Sequence, residues 1–354
     1  MKIIADENLA LTEYFFSDVA QVVSLPGRTL NSVDVHEADA LLVRSITQVN
    51  QALLHGSSVK FVGSATIGID HLDTDYLQQQ NITWANAAGC NAQAVAEYVV
   101  TALLYIKPQL LFAGKTFTLG IVGLGNVGQR LAKVANALGW QIVGSDPFVS
   151  HADIQHVSFE ELLQLADAVS IHVPLTHTGT HPTYHLFNEK VFSQLKPQAI
   201  VLNSARGAVV SEQALLKDIQ QTQRDVVLDV FEHEPKISAD LLDAVTLVTP
   251  HIAGYSLEGK ARGTQMIYDA FCDHLQQCAQ KDFTTQLPVC QQFQQPLRMA
   301  LKQNIKQIYD IAQDDRNLRA CVDDQMVSQH AFDALRKNYA LRREWASHGI
   351  DFNA

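Results

Sequence analysis

The sequence predicts an α/β protein of two doubly wound units followed by a helical C-terminal stretch. Three observations carry that expectation. Short apolar, β-rich runs alternate with helix-forming segments from Lys2 to Thr249, the pattern of parallel sheets with helices on both faces. One run leads into Gly123, Gly125 and Gly128 and then an apolar-periodic helix. With 354 residues, the chain is too long for one ordinary core.

In the N-terminal third, compact apolar runs at 2–5, 40–43, 61–64 and 82–85 predict strands bounded by turn residues. This part lacks a glycine-rich turn, so it is assigned to gripping substrate. Two of its loops, Arg44-Ser45-Ile46-Thr47 and Ser64 through His71, follow strands, where ligands collect in open α/β sheets. Their hydroxyls and backbone N–H groups suit a carboxylate or phosphate, although ordinary Ser/Thr turn chemistry explains each loop equally well. A helix is expected over 91–107, capped by Asn91 and stopped by Pro108.

The turn itself is strand, tight turn and helix. Its three glycines serve the turn, the approach of backbone to a pyrophosphate, and the packing of helix on strand. The following strand ends at Asp146, about twenty residues on, where a carboxylate can accept from both ribose hydroxyls of an adenosine. Pro147 and Phe148 follow instead of an arginine, which favours NAD over NADP. Beyond it, Ser158 through Glu161 has the form of a capping box. Strands are expected at 168–173, 199–202, 226–228 and 247–249, with helices over 188–195 and after Ser211. A long helix is expected over 256–279, then a glutamine-rich linker, then helical spacing to the end.

Composition narrows the function. A formal charge of −11 argues against a nucleic-acid surface, and no apolar stretch approaches a membrane span, so a cytoplasmic protein is expected. Five cysteines without a CxxC pair predict reduced thiols, with neither a metal site nor a disulfide frame.

Arg206, Glu234 and His251 each follow a strand of the second unit and so face one crevice. Removing a hydride from a carbinol carbon to nicotinamide needs a base for the hydroxyl proton, and histidine titrates in the right range. A carboxylate on the far ring nitrogen fixes the tautomer, and an arginine clamps a substrate carboxylate. Taken singly, each has an ordinary structural explanation, and Glu232 competes with Glu234.

The ordered set of Gly123-x-Gly-x-x-Gly128, Asp146, Asn203-Ser-Ala-Arg-Gly207, Asp229-x-x-x-x-Glu234-Pro and Pro250-His251-Ile-Ala-Gly254 resembles the D-isomer-specific 2-hydroxyacid dehydrogenase family. The resemblance implies a NAD-binding Rossmann domain (96–256) inserted into a smaller flavodoxin-like α/β substrate domain (1–95 and 257–283). It implies the catalytic roles given above for Arg206, Glu234 and His251. It also implies NAD contacts from Asn126, Val127, Asp146, Ser204, Ala205, Arg206, Asp229 and Gly254, in addition to the three glycines. The stretches 3–8, 43–47, 66–71 and 308–315 narrow the resemblance to members that act on a small phosphorylated hydroxy acid and dimerise through an added C-terminal domain (284–354). In them Ser45, Thr66 and Tyr255 touch substrate. Arg44 is the candidate for the substrate phosphate by position, with Arg342 and Arg343 as further cations. The rival readings are a dehydrogenase of phosphoglycerate or glycerate, and an NAD-sensing binding protein of the same fold.

Overall fold

The computed structural model describes residues 1–350, and they divide into two compact units. The first comprises Met1–Asn91 and Ser256–Val289, so the chain leaves it once and returns. Its sheet consists of β1 (Lys2–Asp6), β2 (Gln21–Leu25), β3 (Ala40–Val43), β4 (Phe61–Ser64) and β5 (Thr83–Asn86), all parallel. The order β2-β1-β3-β4-β5 is the flavodoxin-like one. Apolar residues point both ways from it. Ile3, Ala5, Leu42 and Phe61 pack with Ile267, Tyr268 and Phe271 of the helix Leu257–His274, whereas Ile4, Leu41, Val43 and Val62 pack with Val35, Leu53 and Leu77. Burial on both faces is why these strands read as continuous apolar runs. β2 escaped that pattern because it is an edge strand, with Gln21 and Ser24 exposed.

The second unit comprises Ala92–Tyr255 and the chain from Cys290 onward. It contains β6 (Thr118–Val122), β7 (Gln141–Ser145), β8 (Gln155–His156), β9 (Ala168–Ile171), β10 (Ile200–Asn203), β11 (Val226–Leu228), β12 (Ile237–Ser238) and β13 (Leu247–Val248). Seven of them form one parallel sheet in the order β13-β11-β10-β9-β6-β7-β8, the Rossmann arrangement extended by a strand. Ser158 Oγ caps the helix Phe159–Leu165 by accepting from Glu161 N at 3.1 Å. The helix at Asn188 is one turn, Glu189–Phe192, shorter than its sequence suggested. Asn91 does not act as a cap: its Oδ1 is buried and has no hydrogen-bond partner among the described residues.

The tail from Cys290 is grouped with the second unit. The hairpin of β14 (Val322–Asp323) and β15 (Met326–Val327) takes β12 as an antiparallel neighbour, Ile237 opposite Val327. The Asp315 carboxylate accepts from Val248 N at 2.9 Å, on the edge strand β13, and Arg319 links Asp315 to Val245 O. Trp345, 1 % exposed, donates its backbone N–H to Glu97 Oε1 at 3.0 Å, and Gln93 Nε2 donates to the same oxygen at 2.7 Å. Burial, with Glu344 nearby, pushes the Glu97 carboxyl well above its usual range. Glu97→Gln, which keeps an acceptor and removes the tendency to ionise, is expected to leave stability within about 1 kcal/mol in urea unfolding, whereas Glu97→Ala should cost about 2 kcal/mol by orphaning the Trp345 amide.

Candidate active site

Each glycine of the turn after β6 meets a different constraint. Gly123 has φ of 95°, and a Cβ there would meet the carbonyl carbon and oxygen of His172 at 2.8 Å. A Cβ on Gly128 would lie 2.2 Å from Gly123 O, so the helix Asn126–Ala137 sits directly against the turn. Among the described residues nothing lies within 4 Å of a Cβ placed on Gly125, which stands at the N-cap of that helix. The first-turn N–H groups, the positive end of the helix dipole and an open approach over Gly125 therefore suit a pyrophosphate. Ser204 Oγ, buried without a hydrogen-bond partner among the described residues, offers a further polar contact.

Asp146 works on the turn as well. Its Oδ2 accepts from Leu124 N at 2.8 Å, and Oδ1 accepts from Phe148 N at 2.8 Å and Val149 N at 3.0 Å. A carboxylate has about four acceptor sites, so a remaining lone pair on Oδ2 is available to a ribose hydroxyl.

His251 follows β13 with φ of 56°, a left-handed conformation uncommon for a residue with a Cβ. Its Nδ1 lies 2.8 Å from Glu234 Oε1, and its side chain is one-third exposed. What fixes the loop is Asp229, 1 % exposed at the end of β11. Its carboxylate accepts from Ile252 N at 2.8 Å, Ala253 N at 2.9 Å and Thr249 Oγ1 at 2.6 Å. Since the Thr249 hydroxyl donates to Asp229, Tyr98 OH, 2.7 Å away, must donate to Thr249. Burial pushes the Asp229 carboxyl up, against the opposing pull of His251 and these bonds.

Glu232 has other partners. It lies 2.6 Å from His185 Nε2 and accepts from Glu212 N at 2.7 Å, so the carboxylate on His251 is Glu234. Burial raises the Glu232 carboxyl, but the Glu212 amide and His185 outweigh it and hold the group below its usual value. Arg206 donates to Ala205 O at 2.8 Å and has no ion pair among the described residues, which leaves its charge for an anionic ligand. A Cβ on Gly207 would overlap Phe231 O at 1.8 Å, so the Arg206 loop packs directly on the backbone before Glu232. His172 does not compete with His251: burial pulls its imidazole down to about 3, and its Nε2 bonds Ser170 Oγ at 2.8 Å.

The first unit holds Arg44, Ser45 and Thr66. Arg44 Nε lies 3.1 Å from Asp6 Oδ1, and its terminal nitrogens have no bond among the described residues. Ser45 is exposed. Thr66 Oγ1 donates to Gly68 O at 3.2 Å, so Ser64 Oγ, 2.8 Å away, must donate to Thr66, and His71 Nε2 to Ser64 at 2.9 Å. Burial pulls the His71 imidazole below its ordinary value, consistent with this neutral tautomer.

Two family descriptions match the chain. The D-isomer specific 2-hydroxyacid dehydrogenase NAD binding domain covers residues 109–253, and a domain of unknown function covers 285–353. Erythronate-4-phosphate dehydrogenase of Acinetobacter baylyi is 63 % identical over 351 residues, 99 % of each chain. The chain belongs to the erythronate-4-phosphate dehydrogenase family. The Psychrobacter cryohalolentis member is 44 % identical over 384 residues, 99 % of this chain and 98 % of its own. The D-lactate dehydrogenase of Aquifex aeolicus, complexed with NAD and lactic acid, has a TM-score of 0.62 at 22 % identity, covering 78 % of this chain and 96 % of its own. That of Lactobacillus jensenii with NAD+ has a TM-score of 0.65 at 22 % identity, covering 79 % and 98 %. These two likenesses carry the fold.

In this member of the erythronate-4-phosphate dehydrogenase family, sequence reading missed Tyr98, Thr249 and Gly207 as builders of the site. Gly207 stood inside a quoted motif, whereas Tyr98 lies far from Thr249 in sequence and gave no signal. Arg342, read as a cation for phosphate, is 8 % exposed and bonded to backbone carbonyls instead. Tyr255 OH accepts from Arg336 Nη2 at 3.3 Å. Among the described residues, no three His, Cys, Asp or Glu are grouped to hold a metal ion. Asp229→Asn would turn one acceptor into a donor facing backbone N–H groups. It is expected to lower stability by about 2 kcal/mol in urea unfolding and to depress turnover more than NAD affinity.

Proposed function

We propose that this chain oxidises 4-phospho-D-erythronate at C2 to (R)-3-hydroxy-2-oxo-4-phosphobutanoate, as a step of pyridoxal 5′-phosphate (vitamin B6) biosynthesis. The substrate rests on the 63 % identity over nearly the whole length to a relative of that name. The chemistry rests on one observation above all, the 2.8 Å contact between His251 Nδ1 and Glu234 Oε1.

With Glu234 accepting from Nδ1–H, His251 Nε2 carries a lone pair and is the base for the C2 hydroxyl proton. The carboxylate then balances the imidazolium that forms, as an oriented partner already in place. Arg206 holds the substrate carboxylate and polarises the C2 oxygen as it becomes a ketone. NAD, when bound over Gly125 with Asp146 at its ribose, supplies the acceptor for the hydride leaving C2. Ser45, Thr66 and Tyr255 bind the substrate, and Arg44, held at Nε by Asp6, takes its phosphate with the terminal nitrogens. Thr66, whose proton is already committed to Gly68 O, can only accept from a substrate hydroxyl. Asn126, Val127, Ser204, Ala205 and Gly254 complete the NAD contacts, and Asp229 acts through the loop it holds. The reading includes a cytoplasmic homodimer; among the described residues no helix is long and apolar enough to cross a membrane.

Nicotinamide reduction followed by absorbance, with 4-phosphoerythronate, 3-phosphoglycerate and D-glycerate offered separately, tests the assignment. Strong preference for the first is expected, and preference for either of the others would overturn the substrate. His251→Asn should lose roughly a thousandfold in turnover with NAD affinity retained, and a near-normal rate would remove its role.

A further inference from the structure

The segment that follows His251 is held from both sides of its peptide groups. Asp229 takes the N–H groups of Ile252 and Ala253. Arg342, from the C-terminal stretch, takes the carbonyls. Its Nη1 donates to Ile252 O at 3.0 Å and Tyr255 O at 3.2 Å, and its Nη2 donates to Ala253 O and to Ala94 O at 3.2 Å. The guanidinium carbon lies 4.5 Å from the centroid of the Tyr309 ring, and the residue is 8 % exposed. An anion and a cation, both buried, thus grip consecutive peptides of one irregular loop.

We propose that Arg342 is a positioning residue for the reaction: it braces the loop 252–255 and thereby keeps His251 in its left-handed conformation with Nδ1 on Glu234. The proposal rests on the role given to His251 above. The loop lies outside the strands: Ile252 O accepts from Tyr255 N at 2.8 Å across the turn as well as from Arg342, and buried carbonyls need donors. Only a planar guanidinium presents several donors in a fixed fork; a lysine ammonium is a single point that cannot span four acceptors. The stretch matched by the domain of unknown function, 285–353, thereby acquires a task within its own chain.

The test compares the full-length wild type with Arg342→Met, Arg342→Lys and His251→Asn. It measures turnover, NAD affinity, thermal stability and the rate ratio for substrate carrying hydrogen or deuterium at C2. Arg342→Met is expected to keep NAD affinity within about threefold while turnover falls on the order of a hundredfold, the scale of an ångström's misplacement. Its deuterium effect should rise as the chemical step becomes limiting, and millimolar guanidinium, but not urea, should restore part of the rate. A merely structural arginine would lower the melting temperature and leave the deuterium effect unchanged, which would overturn the proposal. If Arg342→Met fails to fold, Arg342→Lys decides: reduced turnover with a raised deuterium effect supports the brace, and wild-type turnover removes it. A fully active His251→Asn would instead sink the reading of His251 itself.

Discussion

Irregular backbone at a reactive centre has to be held by something other than a sheet or helix ladder, and in this protein the Asp229 carboxylate is where that begins. One buried side chain, at the end of β11, accepts two amides of the loop after β13 and the hydroxyl of Thr249. A carboxylate removed from water is costly unless its oxygens are saturated, and the loop's N–H groups are costly unless they find acceptors. The two requirements satisfy each other. The left-handed backbone at His251 persists because the residues on its C-terminal side cannot relax without stranding both.

The same economy of partners separates two carboxylates that are two residues apart. Glu232 is bound to His185 and to the amide at the start of the helix Glu212–Thr222, whereas Glu234 meets His251. Arg206, by contrast, spends little of its donor capacity on the protein. A site for an anionic ligand needs that asymmetry: acids whose oxygens already accept from neighbouring groups, and a cation that keeps most of its donors.

Much of this was legible in the residues. Gly123, Gly125 and Gly128 announce themselves because positive φ, open approach and close packing each exclude a side chain. The buried strands of both sheets announce themselves because they are apolar on both faces. Arg206, Glu234 and His251 each follow a strand that periodicity locates, but periodicity assigns none of them a role. The edge strand β2 was hidden because half of it faces water, and the choice between Glu232 and Glu234 was hidden because spacing carries no direction. The roles of Tyr98, Asp229 and Arg342 lay beyond reach for a different reason. Each depends on hydrogen bonds to residues distant in sequence, those of Asp229 and Arg342 mostly to backbone, and a backbone partner leaves no imprint on the residue type that supplies it.

The bond from Val248 N to Asp315 has a bearing on what the unfinished chain exposes as it folds. β13 is the last strand of the larger sheet, and an open sheet margin offers its amides to any passing strand. Here a side chain from a segment made much later during synthesis occupies one of those amides, with Arg319 clamped beside it on the carbonyl of Val245. Until that segment is made, the margin stands uncovered. The nascent Rossmann sheet therefore passes through an interval in which it can recruit a neighbour, and the tail ends that interval.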